Sequence, residues 1–196
     1  LNSFNTSSQT TEFLDNNYPH LDWVEIYQHS FKKIDLNTGH PFQSNDLIYY
    51  NPPGHGSIYF DLYHSGQLHA LVKDGVDYLF ISNSDNLAAT LDDKIMTYLQ
   101  NSRCPFLIEL TPKMTSDVKG GTIVKSGNSL RLWEIAQVES SQLDLFQRQP
   151  VFNTNNIWVS ISDLIDVIES GELMLDLIKN KKKQNNIDVY QLEYAM

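Results

Sequence analysis

The sequence predicts an α/β fold: a mixed, mostly parallel sheet flanked by helices, with one antiparallel hairpin as an excursion. Three observations carry this. Short apolar runs at residues 76–82 (VDYLFIS), 106–110 and 157–161 are continuous rather than alternating, as strands covered on both faces read. Segments of helical spacing alternate with them. GGTIVKSGNSLRLWEI (120–135) holds two strand-like runs around Ser126-Gly127-Asn128, the signal of a tight hairpin.

Each element follows from local chemistry. In NPPGHGSIYFDLYHSG (51–66) a Gly-His-Gly turn opens onto a helix, with Ser57 as the expected N-cap. His64 and His69 fall on a helix pair as surface residues. Residues 91–99 read as helix, with Ile95 and Leu99 four apart. A helix is expected near 141–146 and another from Ser162, its N-cap, with Leu164, Ile165 and Ile168 on one face. The basic run KNKKKQ (179–184) reads as a solvated loop, and residues 187–192 as a strand or the entry to a helix.

Composition narrows the function classes. At 196 residues, 41% of them hydrophobic, the chain can bury a core. A net charge of -10 argues against nucleic acid, whose phosphates call for clustered Lys and Arg. No window approaches the roughly eighteen apolar residues of a membrane span. The polar start LNSFNTSSQTTEF lacks the pattern of a signal peptide. The lone Cys104 fits a reducing cytoplasm.

Four stretches can carry chemistry. The glycines of Gly54-His55-Gly56 let a ligand approach the main chain, with His55 aimed at a phosphate or a sugar hydroxyl. A tight turn with an exposed histidine explains the same residues equally well. ISNSDNL (81–87) follows a buried strand, so Asn83, Asp85 and Asn86 sit where ligands bind in open α/β sheets. Asp85 there suits Mg²⁺, or else caps a turn. FNTNNIW (152–158) offers the amides of Asn153, Asn155 and Asn156 to sugar hydroxyls, although an Asn-rich turn reads the same way. Lys119 is a phosphate ligand or an ordinary exposed charge. No Walker loop, CxxC pair, zinc spacing or GxSxG elbow is present.

The stretches LNSFNT, PPGHGSIY, YLFISNSDNLAATLD, ELTPKMTSDVKGGTI, LRLWEIAQV, FNTNNIW and VYQLEYAM resemble, in order and spacing, the UTP–glucose-1-phosphate uridylyltransferase (UDP-glucose pyrophosphorylase) family. Residues 16–50 and 139–150 match most loosely. The resemblance implies a Rossmann-like nucleotidyltransferase domain, of which residues 1–196 form a single central part. The family's N-terminal glycine-rich loop with its lysine, a second functional lysine and a C-terminal β-helix domain are expected outside it. Hence no catalytic residue is assigned within the chain, which is expected to be inert by itself.

The implied reaction joins UTP and glucose 1-phosphate into UDP-glucose and diphosphate, with Mg²⁺, in the cytoplasm. By motif, Gly54 lies against the nucleotide and His55 contacts the sugar-phosphate part. Gln28 matches the nucleotide-contacting glutamine. Asn83 and Asp85 face the sugar nucleotide, with Asp85 the metal ligand. Asn155 binds glucose hydroxyls, supported by Asn153, while Gly121 and Glu134 line the sugar side. Ser57, Ala88 and Tyr194 depart from the family's usual acidic residue, glycine and threonine. Neither nucleic acid nor membrane is an implied partner, and a homo-oligomer is compatible with the resemblance. A non-catalytic sugar-nucleotide-binding or subunit-interaction homologue is the alternative.

Overall fold

The structure, a computed structural model, describes residues 1–117 and 120–195. In chain order the longer elements are α1 (Ser7–Asn17), α2 (Ile58–His64), α3 (Gln67–Lys73), β1 (Tyr78–Ile81), α4 (Asp93–Ser102), β2 (Phe106–Pro112) and β3 (Gly121–Ser126). Then come β4 (Ser129–Glu134), α5 (Leu143–Gln147), β5 (Val151–Ser160), α6 (Ile161–Glu169), β6 (Leu177–Gln184) and β7 (Ile187–Tyr194). The chain divides into two compact units: Leu1–Gln67 with Met174–Met196, and Leu68–Leu173.

The second unit is built on a three-stranded sheet in the order β1-β5-β2. Every ladder in it is antiparallel, and so are all the other strand ladders of the described residues. The expected mostly parallel sheet is therefore not what forms. The reason lies in the crossover. β1, α4 and β2 do make a strand–helix–strand unit whose strands run the same way, but β5 inserts between them with opposite polarity. A continuous apolar run reports burial on both faces and says nothing of direction. Burial is as read: Ile157, Trp158 and Val159 are each almost wholly inaccessible, and Trp158 stacks on its register partner Phe80 with ring centroids 4.5 Å apart.

Local signals set the helices. Asp92 caps α4, its carboxylate accepting from the amides of Lys94 and Ile95, and Leu99 is buried. α6 starts earlier than expected, because Ser160, not Ser162, accepts from the Asp163 amide. The β3–β4 hairpin closes over Gly127-Asn128 as read, with Gly127 at φ 61, the conformation a two-residue turn asks of its first position. Thr122, fully buried, ties the hairpin to β5 by donating to the Val151 carbonyl at 2.8 Å.

In the first unit β6 and β7 form a long antiparallel hairpin, with Ile34–Asp35 paired on the far side of β7. The basic run is thus a strand, not a loop. It turns at Asn185-Asn186, both in the left-handed region (φ 50 and 64), which asparagine tolerates better than most residues. Its lysines suit an edge strand, where charge discourages pairing with a further chain. Ile26, Phe42, Tyr59 and Val189 make up this unit's core.

Candidate functional site

In the second unit the candidate site is a cleft of about 470 Å³ lined by Asn83, Asn86, Gly120, Phe152, Asn153, Thr154 and Asn155. It exists because β5 bulges. Asn153 pairs with Leu110 and Ile157 with Ile108, so three residues of β5 stand opposite Glu109 alone. Bulges of this kind re-aim side chains. Asn155 takes φ 59, and the amides lock each other: Asn153 Nδ2 donates to Asn155 Oδ1 at 2.7 Å, and the Asn155 backbone N–H to Asn153 Oδ1 at 3.0 Å. The three asparagines are thus inside the strand rather than before it.

The loop following β1 closes the other wall. The Asn83 carbonyl accepts from the Asn86 amide at 3.1 Å, and the Asn86 side chain donates to Asn156 Oδ1, also at 3.1 Å. Asp85 lies on this loop, exposed. Its carboxylate has no hydrogen-bond or ion-pair partner among the described residues, so it does not cap the turn. Among the described residues no three His, Cys, Asp or Glu side chains gather as a metal cage. Asp85 does not line the cleft, but an exposed carboxylate is a hard oxygen donor, which suits Mg²⁺ held largely by phosphate and water.

In the first unit Gly54 starts the turn at φ 85, ψ 178, a region nearly reserved for glycine. A Cβ at Gly54 would come within 3.0 Å of Glu193 Cβ and the Tyr194 carbonyl, and one at Gly56 would overlap the Ala195 carbonyl. Both glycines therefore serve the close passage of the chain's own segment 193–195. His55 is exposed between them. Ser57 does not cap α2: fully buried, it donates to the Gly54 carbonyl at 3.0 Å and accepts from Gln28 Nε2 at 2.9 Å. Gln28 Nε2 also donates to the Gly54 carbonyl at 2.6 Å. The glutamine thus braces the turn.

Beside Gln28 opens a larger, aromatic-walled cavity of about 990 Å³. His29 Nδ1 lies 2.7 Å from Asp61 Oδ1 on its wall.

A family model described as UTP–glucose-1-phosphate uridylyltransferase matches residues 1–196. The chain belongs to that family. It is 38% identical to the UTP–glucose-1-phosphate uridylyltransferase of Encephalitozoon cuniculi and 36% identical to that of Musa acuminata, in each case over its whole length. It spans only 40% and 43% of those two proteins. Among solved structures it resembles a UDP-glucose phosphorylase from Trypanosoma brucei, with a TM-score of 0.91 at 36% identity, covering 100% of this chain and 47% of that one. A variant UDP-glucose pyrophosphorylase from Leishmania major in complex with UDP-Glc matches with a TM-score of 0.87 at 36% identity, over 99% of this chain and 47% of that one.

Within this uridylyltransferase-family chain, Asn83, Asn153 and Asn155 meet in one cleft. Gly121 and Glu134 are register partners at the base of the hairpin. They adjoin the cleft without lining it, and Gly120 forms the wall instead. A Cβ on Gly120 (φ +115) would strike the Phe152 ring at 2.6 Å. Glu134 is committed to a capping box with Gln137, its backbone N–H donating to Gln137 Oε1 at 3.0 Å. Lys119 lies outside the described residues. Sequence reasoning missed Glu109, although an acidic residue inside an otherwise apolar strand was a signal for it. His64 and His69 are surface residues as expected, His69 facing Glu169 at 3.8 Å. Among the described residues no helix is long and apolar enough to cross a membrane.

Proposed function

We propose that the protein carrying this chain is a UTP–glucose-1-phosphate uridylyltransferase and that the chain supplies sugar-nucleotide-binding residues of its cytoplasmic, Rossmann-like catalytic domain. The observation that carries this reading is the cleft in which Asn153 and Asn155 are locked amide to amide across a strand bulge. Sugar hydroxyls both donate and accept, and fixed amides answer both needs without reorganising. The family match and the UDP-Glc complex of the Leishmania major relative support the same ligand.

In the reaction a phosphate oxygen of glucose 1-phosphate attacks the α-phosphorus of UTP in line. The bond from that phosphorus to the α–β bridging oxygen breaks, and diphosphate leaves with the electron pair. Little covalent help is needed: positioning and charge neutralisation lower the barrier. In this reading Asn155 takes glucose hydroxyls with Asn153 behind it, and Asn83 faces the same ligand. Gly121 and Glu134 support the sugar side through the hairpin. In the first unit Gly54 and Gln28 belong to the nucleotide side and His55 to the sugar phosphate. Asp85 would hold Mg²⁺, which when bound neutralises phosphate charge.

The experiment is diphosphate release from UTP and glucose 1-phosphate by the protein carrying this sequence, wild type beside Asn155→Gly. A rise in KM for the sugar phosphate of about tenfold or more, the loss expected for hydrogen bonds in a desolvated site, supports the reading. Unchanged kinetics overturn the role of Asn155. A wild-type protein that makes no UDP-glucose overturns the activity and leaves a non-catalytic sugar-nucleotide-binding homologue.

A further inference from the structure

Behind the amide cleft, Glu109 and Trp158, neither of them an expected site residue, anchor a hydrogen-bond relay that runs through Asn156 to Asn86. Glu109, on β2 opposite the bulge of β5, accepts from Trp158 Nε1 at 2.7 Å with one carboxylate oxygen and from Asn156 Nδ2 at 3.2 Å with the other. Asn156 Oδ1 accepts from Asn86 Nδ2 at 3.1 Å, and Asn86 Oδ1 accepts from the Ala88 backbone N–H at 3.2 Å. Trp158 and Asn156 are buried.

The polarity of this relay is fixed from both ends. An indole N–H only donates and a carboxylate only accepts. Asn156 must therefore turn its NH₂ to Glu109 and its oxygen to Asn86. Asn86 must answer with its NH₂, which leaves its own oxygen for Ala88, a backbone donor. All four contacts agree in one orientation only.

We propose that the Glu109 carboxylate is a positioning residue for the cleft. It sets the amide orientation of Asn156 and, through it, of Asn86, and so holds the loop that carries Asn83 and Asp85. The proposal rests on reading the cleft as the sugar side of the site. Glu109→Gln, which replaces the carboxylate with an amide of the same shape, puts an NH₂ where an acceptor was. If the new amide keeps its oxygen on Trp158, its NH₂ meets the Asn156 NH₂. Flipping Asn156, then Asn86, only moves the donor–donor contact along to Ala88. Buried donors without acceptors are costly, and the loop is the cheapest place to relax.

A paired exchange restores the pattern. In Glu109→Gln/Asn156→Asp the amide oxygen at position 109 accepts from Trp158, and its NH₂ donates to the carboxylate at position 156. That carboxylate in turn accepts from Asn86. One carboxylate and one amide remain, with their positions swapped.

The test is amide hydrogen exchange of the chain, read at Asn86, Ala88 and Ala89, whose N–H groups hold the loop turn, and at the ladder amides of β2 and β5. UDP-glucose titration of the same variants accompanies it. Glu109→Gln should speed exchange in the loop about tenfold, leave the ladder amides unchanged, and weaken UDP-glucose binding by a similar factor. Glu109→Gln/Asn156→Asp should return both readouts to near wild type. Asn86→Asp, on the exposed loop, should loosen the turn as Glu109→Gln does, which keeps the test open if Glu109→Gln fails to fold. Loop exchange unmoved by these variants overturns the proposal, as does faster exchange throughout β2 and β5 or a paired exchange that rescues nothing. Absence of UDP-glucose binding in wild type would instead overturn the site reading, while the exchange data still decide the relay.

Discussion

Gly56 and Ala195 lie so close that a Cβ on the glycine would overlap the alanine carbonyl. This contact explains why the histidine of the turn is flanked by glycines more directly than any ligand does. The turn is folded against the end of β7, where the Tyr194 amide donates to the Pro53 carbonyl at 2.6 Å. Gly56→Ala must push that backbone aside. It should destabilise the first unit by about 1–3 kcal/mol, the usual cost of overpacking. Urea unfolding checks this, and an unchanged midpoint would contradict the packing described.

Tyr59 is 4% exposed and its hydroxyl has no hydrogen-bond partner among the described residues. Tyr59→Phe removes an unsatisfied buried group and should stabilise the chain by about 1 kcal/mol. Burial also pushes the Tyr59 hydroxyl well above its ordinary range. The folded state therefore keeps a proton that the unfolded state releases near pH 10. Stability from this group is intact below that pH and falls as pH rises above it, by up to about 1.4 kcal/mol per pH unit. Alkaline melts of wild type and Tyr59→Phe should keep a constant offset up to roughly pH 10 and draw further apart above it. Parallel curves would refute the assignment.

Asn155 separates fold from function. Its φ of 59 is one that glycine adopts freely. Asn155→Gly should therefore fold with stability within about 1 kcal/mol of wild type, the strain relieved offsetting the lost amide bond. Asn155→Ala keeps the strain and loses the bond, and should melt lower. Thermal unfolding of the pair checks the order, and a more stable alanine variant would contradict the bulge.

Much of the second unit was legible because its signals are local. The Ser126-Gly127-Asn128 hairpin, the buried run into Trp158 and the α4 helix all follow from turn chemistry and apolar spacing. Sheet direction was not legible. β5 comes far later in the chain than β1 and β2, and nothing in their composition tells that it slides between them. Nor was α1, which buries no residue and so shows no apolar stripe. Asn153 and Asn155 stood out through residue type and Asn83 through its place after a buried strand, but the bulge that gathers them depends on a three-against-one register with Glu109, a tertiary fact. The lysines of β6 misled because charge reads as loop, whereas an edge strand favours it equally.

That edge offers its own check. Lys181 pairs with Asp188 at 2.8 Å across the hairpin, and hydrogen bonding between them raises the lysine's pKa and lowers the aspartate's. Lys181→Val with Lys183→Val removes two of the four lysines from a strand whose outer backbone groups no described strand pairs. The variant should self-associate as concentration rises, while wild type does so less. Sedimentation velocity at matched concentrations decides. Identical behaviour would mean that the lysines do not guard this edge.

Calorimetric titration of this chain with UDP-glucose and Mg²⁺, wild type beside His55→Ala and Asn155→Gly, tests the proposed sugar-nucleotide site at its key residues. Wild type should bind, and binding should weaken about tenfold in each variant while both stay folded. Binding indifferent to both substitutions, or no binding by a folded wild-type chain, would contradict it.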